Sequence, residues 1–342
     1  ITQSKRKKGN IPYYGASGIV DYVDGYIFDE DLLLVSEDGA NLLMRTYPIA
    51  FSISGKTWVN NHAHVLRFDN LHSQRFVEYY LNSIKLDDYV GGMAQPKLNQ
   101  AMLNNIPIPY PPLSEQKRIV ALLDEAFAAI DKAKANIEKN LQNAKELFEV
   151  FLKKDYPKKA RLGELVNITT GRLNANAAKE NGKYPFFTCS REVFAIDDYS
   201  FDCEAILLAG NNAVGDFNVK HYRGKFNAYQ RTYVITAKDE TKLDYRFLYY
   251  QMEKSLTGLK EQSVGAGTKF LKLPVIHCFE IAYPSIEEQR KMAHQLDGLA
   301  FEIKKLKTIY QQKLINLDQL KKSLLQKAFT GELTANTKAL TT

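Results

Sequence analysis

A chain of 342 residues exceeds what one ordinary hydrophobic core organises, so two or more domains are expected. Its 45% hydrophobic and 25% charged residues exclude a disordered chain, and no apolar run is long enough to span a bilayer. The net charge of +7 is spread along the whole length and by itself is weak support for a polyanionic partner.

The chain opens at Ile1 without Met and without a signal-peptide pattern, which suggests a trimmed start. Its three cysteines, Cys189, Cys203 and Cys278, are isolated and form no CxxC pair, so a reduced, cytoplasmic setting is expected. A basic cluster, Lys5, Arg6, Lys7 and Lys8 with Asn10, leads into Pro12-Tyr13-Tyr14. Apolar runs at Ile27-Phe28 and at 32–35, bounded by acidic and glycine turns, read as strands. Residues 50–57 match a relaxed phosphate-loop pattern. The first position is Ala50 rather than glycine, however, and 58–62 does not begin a helix, so a turn between strands is the better reading. His62 and His64 alternate as on one strand face, without further ligands to complete a metal set. Aromatic and aliphatic recurrence at three and four predicts a short helix over 73–85.

After Pro109-Tyr110-Pro111-Pro112 the chain runs to Pro157 without Pro or Gly. Ile119, Leu123, Ala126, Ile130, Ala133, Ile137, Leu141, Ala144, Phe148 and Phe151 keep a rhythm of threes and fours, a heptad-like seam with one stutter at 137–141. One helix of about 40 residues, roughly 60 Å long, is expected, with Ser114 as its cap. Glu288-Gln289 lies 173 residues after Glu115-Gln116, and at that offset the rhythm returns with its stutter: Met292, Leu296, Leu299, Ile303, Leu306, Tyr310, Leu314, Leu317, Lys321 and Leu324. Ser285 with Glu288 forms a capping box for this second helix, and Gly331 just past Phe329 is its stop. Two apolar seams in one chain predict packing through Ile119, Leu123, Ile130, Ile137, Leu141 and Phe148 against Leu296, Ile303, Tyr310, Leu314, Leu317 and Leu324. The lysines along the helices (Lys132, Lys134, Lys139 and Lys145; Lys304, Lys305, Lys307 and Lys313) read as solvated flanks.

The segments before the helices repeat as well. Pro12-Tyr13-Tyr14 answers Pro185-Phe186-Phe187, Leu33-Leu34 answers Ile206-Leu207, and Gly55-Lys56 answers Gly224-Lys225. Arg75-Phe76 and Tyr79-Tyr80 answer Arg246-Phe247 and Tyr249-Tyr250. Strands at 205–208 and 232–235 and a helix at 245–256 follow. The first copy lacks a counterpart of 161–166, so its first strand is expected to be missing or supplied by the tail after Gly331. The expected fold is α+β: a domain at 1–105, a helix at 106–156, a second domain at 157–277, and a second helix and tail at 278–342, with the helices in an antiparallel coiled coil.

No catalytic constellation stands out. Asp202 and Glu204 lack a paired Lys at nuclease spacing, and Gly265-Ala266-Gly267 is a lone GxG. The basic clusters are more informative because both copies place cations at matching points, and Lys and Arg suit phosphates while Arg, Asn and Gln suit base edges. Candidate DNA contacts lie around 5–10, 56–62 and 95–97 in the first copy: Lys5, Arg6, Lys7, Lys8, Asn10, Lys56, Asn60, Asn61, Gln95 and Lys97. In the second they lie around 172–191, 220–231 and 268–272: Arg172, Lys183, Arg191, Lys220, Arg223, Lys225, Gln230, Arg231 and Lys269.

The stretch Ile106-Pro107-Ile108-Pro109-Tyr110-Pro111-Pro112-Leu113-Ser114-Glu115-Gln116-Lys117-Arg118-Ile119 resembles the hallmark of Type I restriction-modification specificity subunits. Tyr283-Pro284-Ser285-Ile286-Glu287-Glu288-Gln289-Arg290-Lys291 resembles its second occurrence, with Ser285 in place of the second proline. Leu162-Gly163-Glu164-Leu165 resembles the start of a target-recognition domain, and Phe329-Thr330-Gly331-Glu332-Leu333 the end of the distal helix. The resemblance implies a non-catalytic protein whose two recognition domains each read half of a split, asymmetric DNA target. It implies helices that set the unread spacer and dock two modification (methyltransferase) subunits, with restriction subunits joining. S-adenosylmethionine, ATP and magnesium are expected on those partners rather than on this chain, and no membrane partner is implied. The competing expectations are a coiled-coil scaffold without preference among duplexes, and a nucleotide-dependent nuclease working through Lys56-Thr57 or Asp202 and Glu204.

Overall fold

Four consecutive apolar residues, Leu32 to Val35, are all fully buried, which explains why this run does not alternate: both faces of its strand are covered. Leu32 and Leu34 pack with Ile53, Val59 and Ala63 in one core. Leu33 and Val35 enter another with Phe76, Leu81 and Leu123. Each such side chain contributes about 1.5–3 kcal/mol on burial.

The computed structural model describes residues 6–92, 95–153, 156 and 158–333. Lys5, and the tail beyond Leu333 invoked above as a source of the missing strand, lie outside the described residues. The chain divides into two compact units, one running to Glu138 and resuming at Tyr310, the other being Lys139–Ile309.

In the first unit β1 (Lys8–Gly15), β2 (Gly18–Val23), β3 (Phe28–Asp29) and β4 (Leu32–Ser36) precede α1 (Asn41–Met44). Then come β5 (Ala50–Ile53), β6 (Lys56–Val59), β7 (Ala63–Leu66), α2 (Leu71–Ser83), α3 (Gln100–Asn104) and the start of α4 (Leu113–Leu152). One sheet has the order β2-β1-β6-β3 and the other β5-β4-β7. β1 and β6 are parallel, Tyr13 opposite Trp58. β5 and β6 are successive strands on one path, broken at Ser54-Gly55 where Gly55 takes φ +71°, a left-handed conformation that suits glycine. No helix follows, so residues 50–57 cradle no phosphate in the phosphate-loop manner.

The second unit repeats this plan with longer strands. β8 (Lys159–Arg161), α5 (Leu162–Leu165) and β9 (Val166–Thr170) lead to β10 (Tyr184–Phe187), β11 (Val193–Ile196), β12 (Phe201–Ala209) and β13 (Asn211–Asn212). β14 (Val219–Ala228), β15 (Thr232–Ala237), α6 (Tyr245–Glu261), β16 (Lys269–Phe270), α7 (Leu273–Cys278) and β17 (Glu280–Ala282) lead into α8 (Ile286–Phe329). The main sheet has the order β11-β10-β14-β12-β15-β9. β10 is parallel to β14, Phe186 opposite Asn227, as β1 is to β6. β9 covers the outer edge of β15. Among the described residues β7, its equivalent, pairs only with β4.

Both long helices pass from one unit into the other. In the first unit the early part of α4 and the late part of α8 run in opposite directions: Lys321 lies 4.5 Å from the Phe127 ring and Lys134 Nζ 2.5 Å from Asp318. Ile119, Leu123, Ile130 and Ile137 are buried there, and Tyr310, Leu314, Leu317 and Leu324 half-buried. In the second unit Leu296 is buried while Leu141, Phe148 and Ile303 are half-buried. Ser285 and Glu288 form the expected reciprocal cap, and Gly331, at φ +80°, follows the end of α8. Ser114 does not cap α4. The helix already begins at Leu113, and the Pro112 carbonyl accepts the Glu115 and Gln116 N–H groups, which places Ser114 inside the first turn.

Candidate nucleic-acid interface

Each globule is fixed to its helices by buried polar contacts. Gln116, 1% exposed, accepts from Ser73 Oγ at 2.7 Å and donates to the Pro111 carbonyl at 2.8 Å. Gln289, fully buried, accepts the Asp244 N–H at 2.9 Å and donates to the Lys242 and Pro284 carbonyls. Asp244 itself caps α6 through the Phe247 N–H. The glutamines of the two Glu-Gln pairs are thus staples between the long helices and the globules.

In the first unit the strand ends and turns around Gly15, Ser36, Asn60 and Lys97 converge. Asn60 N–H donates to the Tyr14 carbonyl, Ser36 Oγ to the Ala16 carbonyl, and Leu98 N–H to the Glu37 carbonyl. Asn60, Asn61, Gln95 and Lys97 therefore belong to one loop cluster. Its charges are partly spent: Lys97 pairs with Glu37 at 3.0 Å and His62 with Asp38 at 2.7 Å. His64 instead bonds the Leu98 carbonyl. Lys8, Asn10 and Lys56 lie on strands, not loops, and Lys56 opens β6 at the end opposite Asn60. Lys7 is exposed just before β1. Arg6 pairs with Asp21 at 3.0 Å and stacks on Tyr13. The expected set is thus split between two ends of the sheet.

In the second unit the cluster comprises the segments around Ser190, Asp216, Gln230 and Lys269. Arg191 binds Asp216 through two hydrogen bonds from Nη2, 2.7 and 2.8 Å, and that guanidinium holds the Asp216 carboxyl below its ordinary range. Gln230 Nε2 donates to Asn174 at 2.9 Å, and Arg231 lies 5.1 Å above the Phe270 ring. A cavity of about 450 Å³ opens beside them, lined by Gln230, Arg231, Tyr233, Phe270 and Lys272. Lys269 sits in β16 at its edge, and Arg172 and Lys183 are exposed. Lys220, Arg223 and Lys225 lie on β14 rather than in loops. Lys220 is also tied down. Its ammonium donates to the Ser190 carbonyl and to Asn218, both at 2.5 Å, and burial pulls its pKa below the ordinary lysine value. Arg223 is 3.8 Å from Glu204, which also bonds His221 at 2.8 Å, so Glu204 is engaged in ion pairs.

Residue-type reasoning overlooked the rings under the cations: Tyr26 beneath Lys56 and Tyr199 beneath Lys225. The signal was present as Tyr-x-Phe-Asp, at Tyr26 and again 173 residues later at Tyr199. The tyrosine pairing also shifts by one residue. Tyr79 and Tyr250 are the equivalents, because each donates its hydroxyl to an aspartate of a long helix, Asp124 and Asp297.

A family model described as the Type I restriction modification DNA specificity domain matches residues 1–143 and 154–316. The Escherichia coli Type I restriction enzyme EcoDI specificity subunit is 39% identical over 177 residues, 52% of this chain and 38% of that subunit's length. A putative type I specificity subunit of Haemophilus influenzae, S.HindORF215P, is 28% identical over 87% of this chain and 82% of its own length. Among solved structures, a chain from work on complex assembly and conformational transition of the type I R-M system superposes with a TM-score of 0.66. It has 18% identity and covers 88% of this chain and 82% of its own. The HsdS subunit of Thermoanaerobacter tengcongensis gives 0.55 at 18% identity, covering 90% and 82%, so both support the fold alone. With 306 of its 342 residues matched in two successive stretches, this chain belongs to the Type I restriction-modification DNA specificity family.

Proposed function

We propose that the chain is the non-catalytic sequence reader of a Type I restriction-modification enzyme, each globule recognising one half of a bipartite, asymmetric duplex target. The supporting observation is a duplicated sheet-and-helix unit whose frame repeats while its exposed loops do not. His62–Asp38 and Lys97–Glu37 stand in one loop cluster, Arg191–Asp216 and Arg231–Phe270 in the other. Unlike loops on a shared frame suit unlike half-sites. The two long helices then set the unread spacer and offer docking faces to two modification subunits, with restriction subunits joining. S-adenosylmethionine, ATP and magnesium belong to those partners. No helix among the described residues is long and apolar enough to cross a membrane, and the chain works in the cytoplasm beside its DNA.

Selection from random duplexes by the purified chain with its modification subunits, at fixed ionic strength, tests this reading. A split motif with an unread centre is expected. No preference among duplexes, or one contiguous motif, sinks it.

A further inference from the structure

Two small clusters, one per unit, repeat residue for residue. In the first unit Tyr26, Phe28 and Asp29 lead into and form β3, and Asp29 lies opposite Lys56 on β6. The Lys56 ammonium sits 4.8 Å from the centre of the Tyr26 ring. In the second unit Tyr199 leads into β12, which Phe201 and Asp202 begin, Asp202 lies opposite Lys225 on β14, and the Lys225 ammonium is 4.6 Å from the Tyr199 ring. The backbone frame agrees: Ile27 N–H donates to the Thr57 carbonyl at 3.0 Å, and Ser200 N–H to the Phe226 carbonyl at 3.1 Å. Gly55 and Gly224, each just before its lysine, both have positive φ.

These clusters face solvent. Tyr26 is 49% and Tyr199 43% exposed, and both lysines are exposed. Neither lysine enters an ion pair among the described residues, whereas Lys97 and Arg191 in the loop clusters do. The Lys225 pKa is held above its ordinary value, chiefly by the adjoining Tyr199 and further by Asp202. Ring and strand therefore present a cation in the same frame twice, while the loop clusters elsewhere on the two globules diverge. A contact kept identical in two readers of different sequence suits what both half-sites share, the sugar–phosphate backbone. A cation over a tyrosine face retains its charge and its donors for phosphate oxygen.

Resting on the DNA-reading function above, we propose that Lys56 on Tyr26 and Lys225 on Tyr199 are equivalent, sequence-independent phosphate contacts that set each globule's register on its half-site.

The test uses the full chain assembled with its modification subunits. Affinity is measured across salt concentrations on a duplex carrying the selected split site and on a scrambled duplex of equal length. The double variant Lys56→Gln/Lys225→Gln is expected to weaken both by a similar factor, on the order of tenfold near physiological salt. It should also lower the slope of log affinity against log salt by about 2, roughly 0.9 per lost contact. Lys56→Arg/Lys225→Arg should restore both, and thermal melting checks that each variant is folded. An unchanged slope overturns the proposal. So does a loss confined to the selected site, which makes the lysines base readers, or a loss of subunit assembly without DNA at unchanged slope, which makes the clusters protein-docking surfaces. If the unaltered complex prefers no split site, the DNA-reading function fails and this proposal with it. A preference kept with an unchanged slope defeats this proposal alone.

Discussion

Arg75 Nη2 donates to Asp124 Oδ1 at 2.6 Å, joining a helix of the first globule to the long helix that follows it. Arg246 Nε stands at the same distance from Asp297 Oδ1 in the second unit, and Tyr79 and Tyr250 donate to the same two carboxylates. With the buried Gln116 and Gln289 contacts, these triads give each globule a fixed seat on the long helix that follows it. A reader whose half-site lies at a set distance from a second reader needs such a seat, because a loose one would blur the spacer.

The second triad makes stability sensitive to acid. Burial alone would raise the Asp297 carboxyl, but hydrogen bonds from Arg246 and Tyr250 outweigh it and leave its pKa below the ordinary value. The native state therefore gives up this proton more readily than the unfolded chain. The stabilisation is fully present above the unfolded value, about 3.9, and is lost as pH falls through the lowered native one. Asp297 is 41% exposed, so solvent screening limits the contribution to about 1 kcal/mol. Urea unfolding followed from pH 7 to pH 3 should show Asp297→Asn less stable than the parent at pH 7 by that amount, the gap closing toward pH 3. A constant gap contradicts the assignment.

Replacing the fully buried Gln289 by Leu strands one amide donor and two carbonyls, the Pro284 carbonyl in a buried setting and the other two groups in part-buried ones. Each buried group left unsatisfied costs about 1–3 kcal/mol, and partial rescue by water brings the expected total to about 3 kcal/mol. Gln116→Leu removes two bonds rather than three and should cost less. Denaturant midpoints of the two variants give the order, and equal or negligible losses would remove the staple role.

What was legible in the sequence followed local rules. The seams of α4 and α8, the Ser285–Glu288 cap and the stop at Gly331 depend on residues a few positions apart. The duplication was legible because its anchors survive in order. Non-local pairing was not. Nothing in Tyr13 or Trp58 announces that β1 and β6 lie parallel, and only the shared aspartate contacts show that Tyr79 answers Tyr250 rather than Tyr249. Of the candidate contacts, residue type marked the cations but not their neighbours. Arg191 is held by Asp216, Lys97 by Glu37 and Lys220 by two oxygens, so charge in the sequence overstated charge available at the surface.

Ile130 is 4% exposed in the core that α4 shares with Leu317 and Leu325. Proline there removes a helical hydrogen bond and clashes with the preceding turn, at a cost of about 3 kcal/mol or more. Circular dichroism should show lost helix content in Ile130→Pro. Binding to the split target should collapse for both half-sites together, since α4 carries the first seat at Gln116 and Asp124 and packs through Leu152 into the core of the second unit. Retention of two-site binding by this variant would mean that the helix does not set the spacing.

The spacing role can be measured by lengthening. Inserting four residues after Glu138 in α4 and four after Ile309 in α8 extends both helices where the chain passes between the two units. Each insertion adds about 6 Å at 1.5 Å per residue. Duplex DNA rises about 3.4 Å per base pair, so the preferred spacer should lengthen by about one to two base pairs, less if the helices lie oblique to the duplex. The half-site sequences should not change, because no loop of either globule is touched. Extending α4 alone leaves its apolar seam out of step with that of α8, and should lower stability without yielding a new spacer preference. Selection from random duplexes with each variant separates these outcomes. A changed half-site with an unchanged spacer would overturn the assignment of recognition to the globules and of distance to the helices.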